Sequence, residues 1–412
     1  MAIVKPFKAV RATRDKVALV SSKSYEAYTP AELGAKLDFN PFTFLHVINP
    51  GYKYHQEVSG EQRFQLVHNR FLEFKENGIF LQDEKESFYI YEKKDGKNSY
   101  CGIIAGSSVD DYENDIIKKH EGTIEKREIL FENYLKTTGF NAEPVLLTYP
   151  DNDSLETIIK NYKETVRPEY EFSTTDKKLH KFWVITETDL LDEIKDAFKT
   201  IDSIYIADGH HRSASSYLLA KNLRKENPNH TGKEAYNYFM TYLIPESHLQ
   251  ISEFNRFVKD LNGLTVDDFL MKLDASFRIE NHGAHYYYPS KKNHFSMYLE
   301  GTFYSLYLRR SLYKFTDALS KLDAEILFRT ILKPILGIDN LNNNNRIGYS
   351  HTKKDVLSVK TKVDDGTYKV GFGLLPISVN EMKEVADNNL KMPPKTTYIE
   401  PKLRSGLTMY EF

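Results

Sequence analysis

Cysteine is almost absent from this chain: 412 residues contain one, Cys101. That scarcity excludes an intrachain disulfide framework, a CxxC redox pair and any multi-cysteine zinc or iron–sulfur site, and it favours a reducing compartment. Long apolar runs are missing too. No stretch approaches the roughly 18 uninterrupted apolar residues of a membrane span, and the opening MAIVKPFKAVRATRDKVALV lacks the apolar core of a secretion signal. The expectation is a cytoplasmic protein with no membrane partner. Charge of one sign is not in excess either: 56 Lys and Arg stand against 58 Asp and Glu, a net of −2. Nucleic-acid-binding domains usually carry a basic surplus, so no nucleic-acid partner is expected. The chain also lacks a GxxxxGK[ST] phosphate loop, a GxGxxG turn opening a helix after a strand, an HExxH pair and a GxSxG elbow. The usual nucleotide and hydrolase folds are thereby excluded.

What is present is an ordinary globular composition, 41% hydrophobic and rich in Tyr and Phe, long enough for two or three domains. Residues 1–100 carry short β-type runs, FTFLHVI (42–48), GIFL (78–81) and SFYIY (87–91), between Gly, Asn, Asp and Lys clusters, and read as a β-rich region. From Cys101 helix and strand alternate. A CGIIAG strand leads to a charged helical stretch at about 109–138 around Gly122, then to the strand PVLLTY (144–149). A helix signalled by Asp153 and Glu156 carries Leu155, Ile158, Ile159 and Tyr162 at one-face spacing. After FWVI (182–185) a second helix carries Leu191, Ile194, Phe198 and Ile201, and SIYIA (203–207) precedes a helix at about 213–226. Residues 241–412 mix strands (FMTYLI, HYYYP, FYSLYL) with a helix near 316–335, and the Asn run at 342–345 reads as a loop. The fold class expected is α+β, with a β-rich region over 1–100, a core over 101–240 and an α+β region over 241–412.

The segment that carries chemistry is SIYIADGHHRSA (203–214), a buried-type strand running through one glycine into a helix of small residues. Gly209 permits a backbone conformation, or a close approach, that a side chain would block. The helix beginning near Ser213 aims its positive dipole end at the turn, which makes an anion site. Arg212 can add a charge-assisted fork, and His210 or His211 a further donor. Asp208 does not suit passive anion binding, because a carboxylate beside a phosphate repels it unless a cation or a transferable proton lies between. It points to Mg²⁺ ligation or to handling of a hydroxyl proton, both of which phosphoryl transfer requires. The plainer alternative is an ordinary Asp-Gly turn with two surface histidines.

The string IADGHHRSAS resembles the signature of domain-of-unknown-function family 1015, and the likeness extends to NPFTFLHVINP (40–50), DDYENDIIKKHEGTIEKRE (110–128), LFRTILKPILGI (327–338) and MPPKTTYIEPKLRSGL (392–407). The turn is also similar to the DGHHR motif of free-serine kinases in the ParB/sulfiredoxin superfamily. In those proteins a His-Glu pair opens a helix, a proline-led strand follows and the DGHHR turn comes next. Here these are His120-Glu121, Pro144 to Leu147, and Asp208 to Arg212. The resemblance implies a ParB/sulfiredoxin-like core over 101–240 with an insertion at about 150–202. It also implies a general base at Glu121, with His120 beside it.

The Pro-rich segment MPPKTTYIEPK presents Lys395 and Lys402 on a stiff strap that can close over nucleotide phosphates, unless it is a surface-tracking tail. Glu26, Thr123 and Arg127 are weaker substrate-binding candidates; for Arg127 an i,i+4 partnership on a helix face is the plainer reading. His46 reads as a core histidine. The expected function is a metabolic kinase moving the terminal phosphate of a nucleotide, ATP or ADP with Mg²⁺, to the hydroxyl of L-serine or another hydroxy amino acid. The alternative is a non-catalytic nucleotide-binding regulatory module of the ParB-like superfamily. Sulfiredoxin-like repair is set aside, since its catalytic cysteine would occupy the His210 position.

Overall fold

The computed structural model describes residues 1–252, 254–351 and 357–412. The chain forms two compact units: Met1–Lys119, Thr123–Leu249 and Pro401–Phe412 make the first, and His120–Gly122 with Gln250–Glu400 make the second. Both mix helices and strands, so the fold is α+β as expected.

Among the described residues the first unit is organised by a nine-stranded sheet. Its strands are β1 (Val4–Lys5), β2 (Phe88–Asp95), β3 (Asn98–Ser108), β4 (Ile117–Lys118), β5 (Val145–Tyr149), β6 (Tyr170–Ser173), β7 (Leu179–Ile185), β8 (Ile204–Asp208) and β9 (Tyr238–Pro245). They run β4-β8-β5-β9-β3-β2-β7-β6, with β1 pairing β3. Strand β3 runs through residue 100 and pairs with β2 and β9, so the stretch before Cys101 is continuous with the sheet that follows it.

One face of the sheet carries the hydrophobic core. Ile90, Ile103, Leu147, Trp183 and Ile206 point into it, beneath helices α2 (Asp153–Thr165) and α3 (Thr188–Lys199). Both helices lay a one-face apolar stripe on the sheet, Leu155, Ile159 and Tyr162 from α2 and Ile194 and Phe198 from α3, and each such buried side chain contributes about 1.5–3 kcal/mol. The cap of α2 is Asn152, whose Oδ1 accepts the Leu155 N–H at 3.1 Å, one residue ahead of the expected start.

Several local expectations are corrected. FTFLHVI forms a short helix, Leu45–Ile48, because Asn40 accepts the Phe42 amide at 3.1 Å and the chain winds on from that turn. The charged stretch 109–138 is not one helix. A short helix ends near Asp115, which has φ 58°, and Ile117 then pairs in parallel with Ile204 before α1 (Glu125–Thr138) begins. Tertiary pairing there overrides helix propensity. His120 and Glu121 consequently lie in the loop before α1 rather than at its opening. HYYYP is irregular, since Gly283 (φ 57°) closes the preceding strand in a turn. The helix expected near 316–335 is Asp323–Leu327, which widens into a π-helical turn over Phe328–Leu332.

The second unit holds a six-stranded sheet among the described residues, with its apolar core built from Phe269, Phe295, Met297, Leu306, Leu327 and Phe372 among others. No helix among the described residues is long and apolar enough to cross a membrane.

Candidate functional site

Strand β8 is buried along its length until Asp208. It pairs with β4 in parallel and with β5 antiparallel. Ile206 pairs with Leu147, but the next partner, Leu146, is taken by Asp208, so Ala207 is a bulged residue. The extra residue turns Asp208 away from the side of Ile206 and toward the opposite face of the sheet, the usual effect of a bulge.

Helix α4 (His210–Glu226) starts immediately after Gly209, three residues earlier than expected. Gly209 has φ 108°, and a Cβ there would stand 3.1–3.2 Å from the Arg212 guanidinium. The backbone angle therefore favours glycine, and a side chain there would crowd Arg212. The first turn is tightened by the Ser213 amide, which donates to the Gly209 carbonyl at 3.0 Å. The small residues Ser213, Ala214, Ser215 and Ser216 are buried, so α4 comes in close against its surroundings.

Two cations meet on Asp208. Arg212 donates through Nη2 to Oδ2 at 3.0 Å, and Lys402 donates through Nζ to Oδ1 at 2.9 Å. The Asp208 and Lys402 side chains are 39% and 41% exposed. Pairs this open are worth at most about 1 kcal/mol, so a competing anion can exchange with the carboxylate. Arg212 also donates through Nη1 to the carbonyls of Pro144 (2.8 Å) and Glu143 (3.3 Å), which ties the turn to the entry of β5. Glu143 in turn accepts the Ser405 hydroxyl. The Lys402 carbonyl accepts from Lys93 Nζ at 3.0 Å, and Ser405 exchanges backbone hydrogen bonds with Ser22. Within the first unit, Pro401–Phe412 is thus fastened at Lys402 itself and again at Ser405. His210 is buried and His211 half-buried.

Asp208, Gly209, His210, His211 and Arg212 therefore share one turn, and Lys402 reaches it. Glu26 (in a 3₁₀ turn) and Arg127 are exposed, and the Thr123 hydroxyl donates to Glu128. None of the three bonds to Asp208, Arg212 or Lys402. His120, Glu121 and Lys395 belong to the second unit. There His120 is fully buried, Glu121 is half-buried and the His120 carbonyl accepts the Met392 amide at 2.9 Å. Lys395 has φ 56°, and its ammonium lies 5.6 Å from the centre of the Phe254 ring. His46, expected in a strand, sits in the short helix, where its Nε2 bonds the Asn40 carbonyl at 3.1 Å and burial lowers its pKa.

Among the described residues Asp208 belongs to no group of three His, Cys, Asp or Glu side chains close enough to share an ion. The Asp208 carboxylate accepts from one cation on each oxygen. Mg²⁺ asks for one or two carboxylates with phosphate oxygens and waters completing its shell, so Asp208 fits it as a ligand shared with phosphates.

Glu143, Lys93, Arg404 and Ser405 were not singled out in the sequence. The block KLRSGL carried a signal for the last two, whereas Glu143 and Lys93 sit in ordinary local patterns.

Among solved structures the chain is similar to SbnI with C-terminal truncation from Staphylococcus aureus: 12% identity, TM-score 0.38, 73% of this chain and 84% of that one. It is similar to a mutant free serine kinase in complex with AMP at 10% identity and TM-score 0.36, over 73% and 88%. A conserved hypothetical protein from Pyrococcus furiosus is similar at 13% identity and TM-score 0.33, over 73% and 90%. A search of curated proteins found no match. A family model described as "Protein of unknown function (DUF1015)" matches residues 4–325.

Proposed function

The chain belongs to the DUF1015 family, and from that premise we propose that it is a kinase transferring the terminal phosphate of a nucleotide, ATP or ADP, to the hydroxyl of a small amino acid, L-serine before others. The observation that carries this reading is the meeting of Lys402 and Arg212 on Asp208, at the start of a helix entered through a left-handed glycine.

In this reading the first turn of α4 receives the phosphate, with His210 and His211 as further donors. The dipole end contributes ~0.3–1 kcal/mol. Lys402 exchanges the carboxylate for phosphate oxygens, while Arg212, held by the Pro144 carbonyl, keeps the turn in shape and balances charge. Asp208 is then available to a magnesium ion, which when bound neutralises charge on the phosphates. Glu121 takes the proton of the acceptor hydroxyl and His120 stands beside it, roles that the likeness to free-serine kinases implies.

Phosphorus NMR of the protein with ATP, Mg²⁺ and a panel of hydroxy amino acids tests the proposal. A new phosphomonoester signal with L-serine is expected. ATP left intact beside every acceptor would overturn it.

A further inference from the structure

The face of the sheet onto which Asp208 turns carries a second group of polar residues. His180 of β7 stands directly opposite Lys93 of β2, and Lys93 opposite Tyr100 of β3. Their strand neighbours Trp183, Ile90 and Cys101 point to the apolar core on the other side. His180 is 1% exposed and Lys93 4%. Groups of this kind are costly to bury without hydrogen-bonded or charged partners. Lys93 gives its ammonium to the Lys402 carbonyl. Arg404, two residues further on, donates through Nε to the Ser21 hydroxyl at 3.0 Å and through Nη2 to the Ser21 carbonyl. Among the described residues no carboxylate pairs with Arg404.

The imidazole of His180 bonds the Tyr91 hydroxyl through Nδ1 at 2.7 Å, and its Nε2 has no hydrogen-bond partner among the described residues. Burial lowers the ring to about 3, and the charges of Arg404 and Lys93 add to this, so it is neutral at ordinary pH. The Tyr91 hydroxyl has no other acceptor among the described residues. Donating to Nδ1 satisfies it and leaves the ring proton on Nε2, a buried donor without an acceptor.

We propose that Lys93, Arg404 and the Nε2–H of His180 bind the carboxylate of the amino-acid acceptor. The ligand's identity rests on the kinase reading above; the anionic character of the subsite does not. Lys402 joins the two sites, holding Asp208 with its ammonium and Lys93 with its carbonyl. An acceptor with a carboxylate a few bonds from its hydroxyl can therefore be read at one end and phosphorylated at the other. The same donors suit a phosphate of the nucleotide, and the experiment separates the two sources.

Acceptor KM and kcat are measured with L-serine and with L-serinamide, which lacks the carboxylate, and ATP affinity by calorimetry, for the wild type, Arg404→Gln and Lys93→Met. Thermal melts check that each variant is folded, and the partly exposed Arg404 provides the variant that folds if Lys93→Met does not. Loss of one charged hydrogen bond predicts a rise in the L-serine KM of about 10- to 100-fold in Arg404→Gln. kcat should stay within about threefold, as for lost ground-state binding. ATP affinity and the poor serinamide KM should not change. Equal use of serine and serinamide by the wild type, or weakened ATP binding with an unchanged serine KM, would overturn the subsite. If no acceptor is phosphorylated, the kinase reading fails separately, and calorimetry with L-serine and O-phospho-L-serine still decides. Binding that is lost in Arg404→Gln supports the subsite, and binding that is absent or indifferent to the substitution refutes it.

Discussion

Two aspartates, one in each unit, meet opposite surroundings. Asp208 stands at an open strand end with Lys402 on one oxygen and Arg212 on the other. Asp323 is 1% exposed; it accepts the Asn293 amide at 2.8 Å, and its second oxygen has no partner among the described residues. Burial pushes its pKa up to about 6. A carboxylate that gathers exposed cations can trade them for a ligand, whereas one shut away from charge can only trade a proton. The first arrangement suits chemistry on an incoming anion, and the second makes stability depend on pH.

Substitutions can break this contrast, beginning with the strongest. Asp208→Asn, which keeps the shape and removes the charge, should lower phosphate transfer about 10³-fold or more, while Glu121→Gln should cost about 10²- to 10⁴-fold as a lost general base. Turnover followed by phosphorus NMR on folded protein checks both, and full activity in either contradicts its assigned role. Lys402→Met should weaken ATP binding about 10-fold or more, the loss of one charge-assisted contact. Lys395→Met, whose ammonium lies against Phe254, should change it less than about twofold if only a surface contact is lost. Equal effects in calorimetry would return the whole strap to the phosphate site. Gly209→Ala forces an L side chain to φ 108° and crowds Arg212, at about 1–3 kcal/mol, which urea denaturation reads directly.

The smallest and most specific effect concerns Asp323. Its folded-state value lies above the ordinary 3.8, so the native state binds the proton more tightly than the unfolded chain. Its contribution is therefore fully present below pH ~4 and is lost as pH rises through about 6, a change on the order of 3 kcal/mol at most. Asp323→Asn should flatten that slope in unfolding curves measured between these values. Asp111, also raised to about 6 by burial, leaves a residual slope.

The sequence made the apolar strands legible because burial on both faces leaves an uninterrupted run, as in SIYIA and PVLLTY. The stripes of α2 and α3 were legible for the same reason at helical spacing. It failed where long-range pairing decided the outcome. Ile117 and Lys118 look helical among charged neighbours and become a strand only because Ile204 and Tyr205 stand beside them. At the turn, Gly209 and Asp208 were readable from residue type. The distant cation Lys402 was legible only as one of two lysines on a stiff segment, and nothing local distinguished it from Lys395. Glu143 and Lys93 carry ordinary local patterns, and their contacts bridge 69 and 309 residues.

The single unpaired step at Ala207 makes β8 a two-position ratchet. Pairing Ala207 with Leu146 in strict alternation would swing the Asp208 carboxylate in among Leu147 and Ile206, whereas deleting Ala207 would leave Asp208 opposite Leu146 and its aim intact. What sets the aim is the pairing of Asp208 with Leu146, which Ala207 permits by staying out of the ladder.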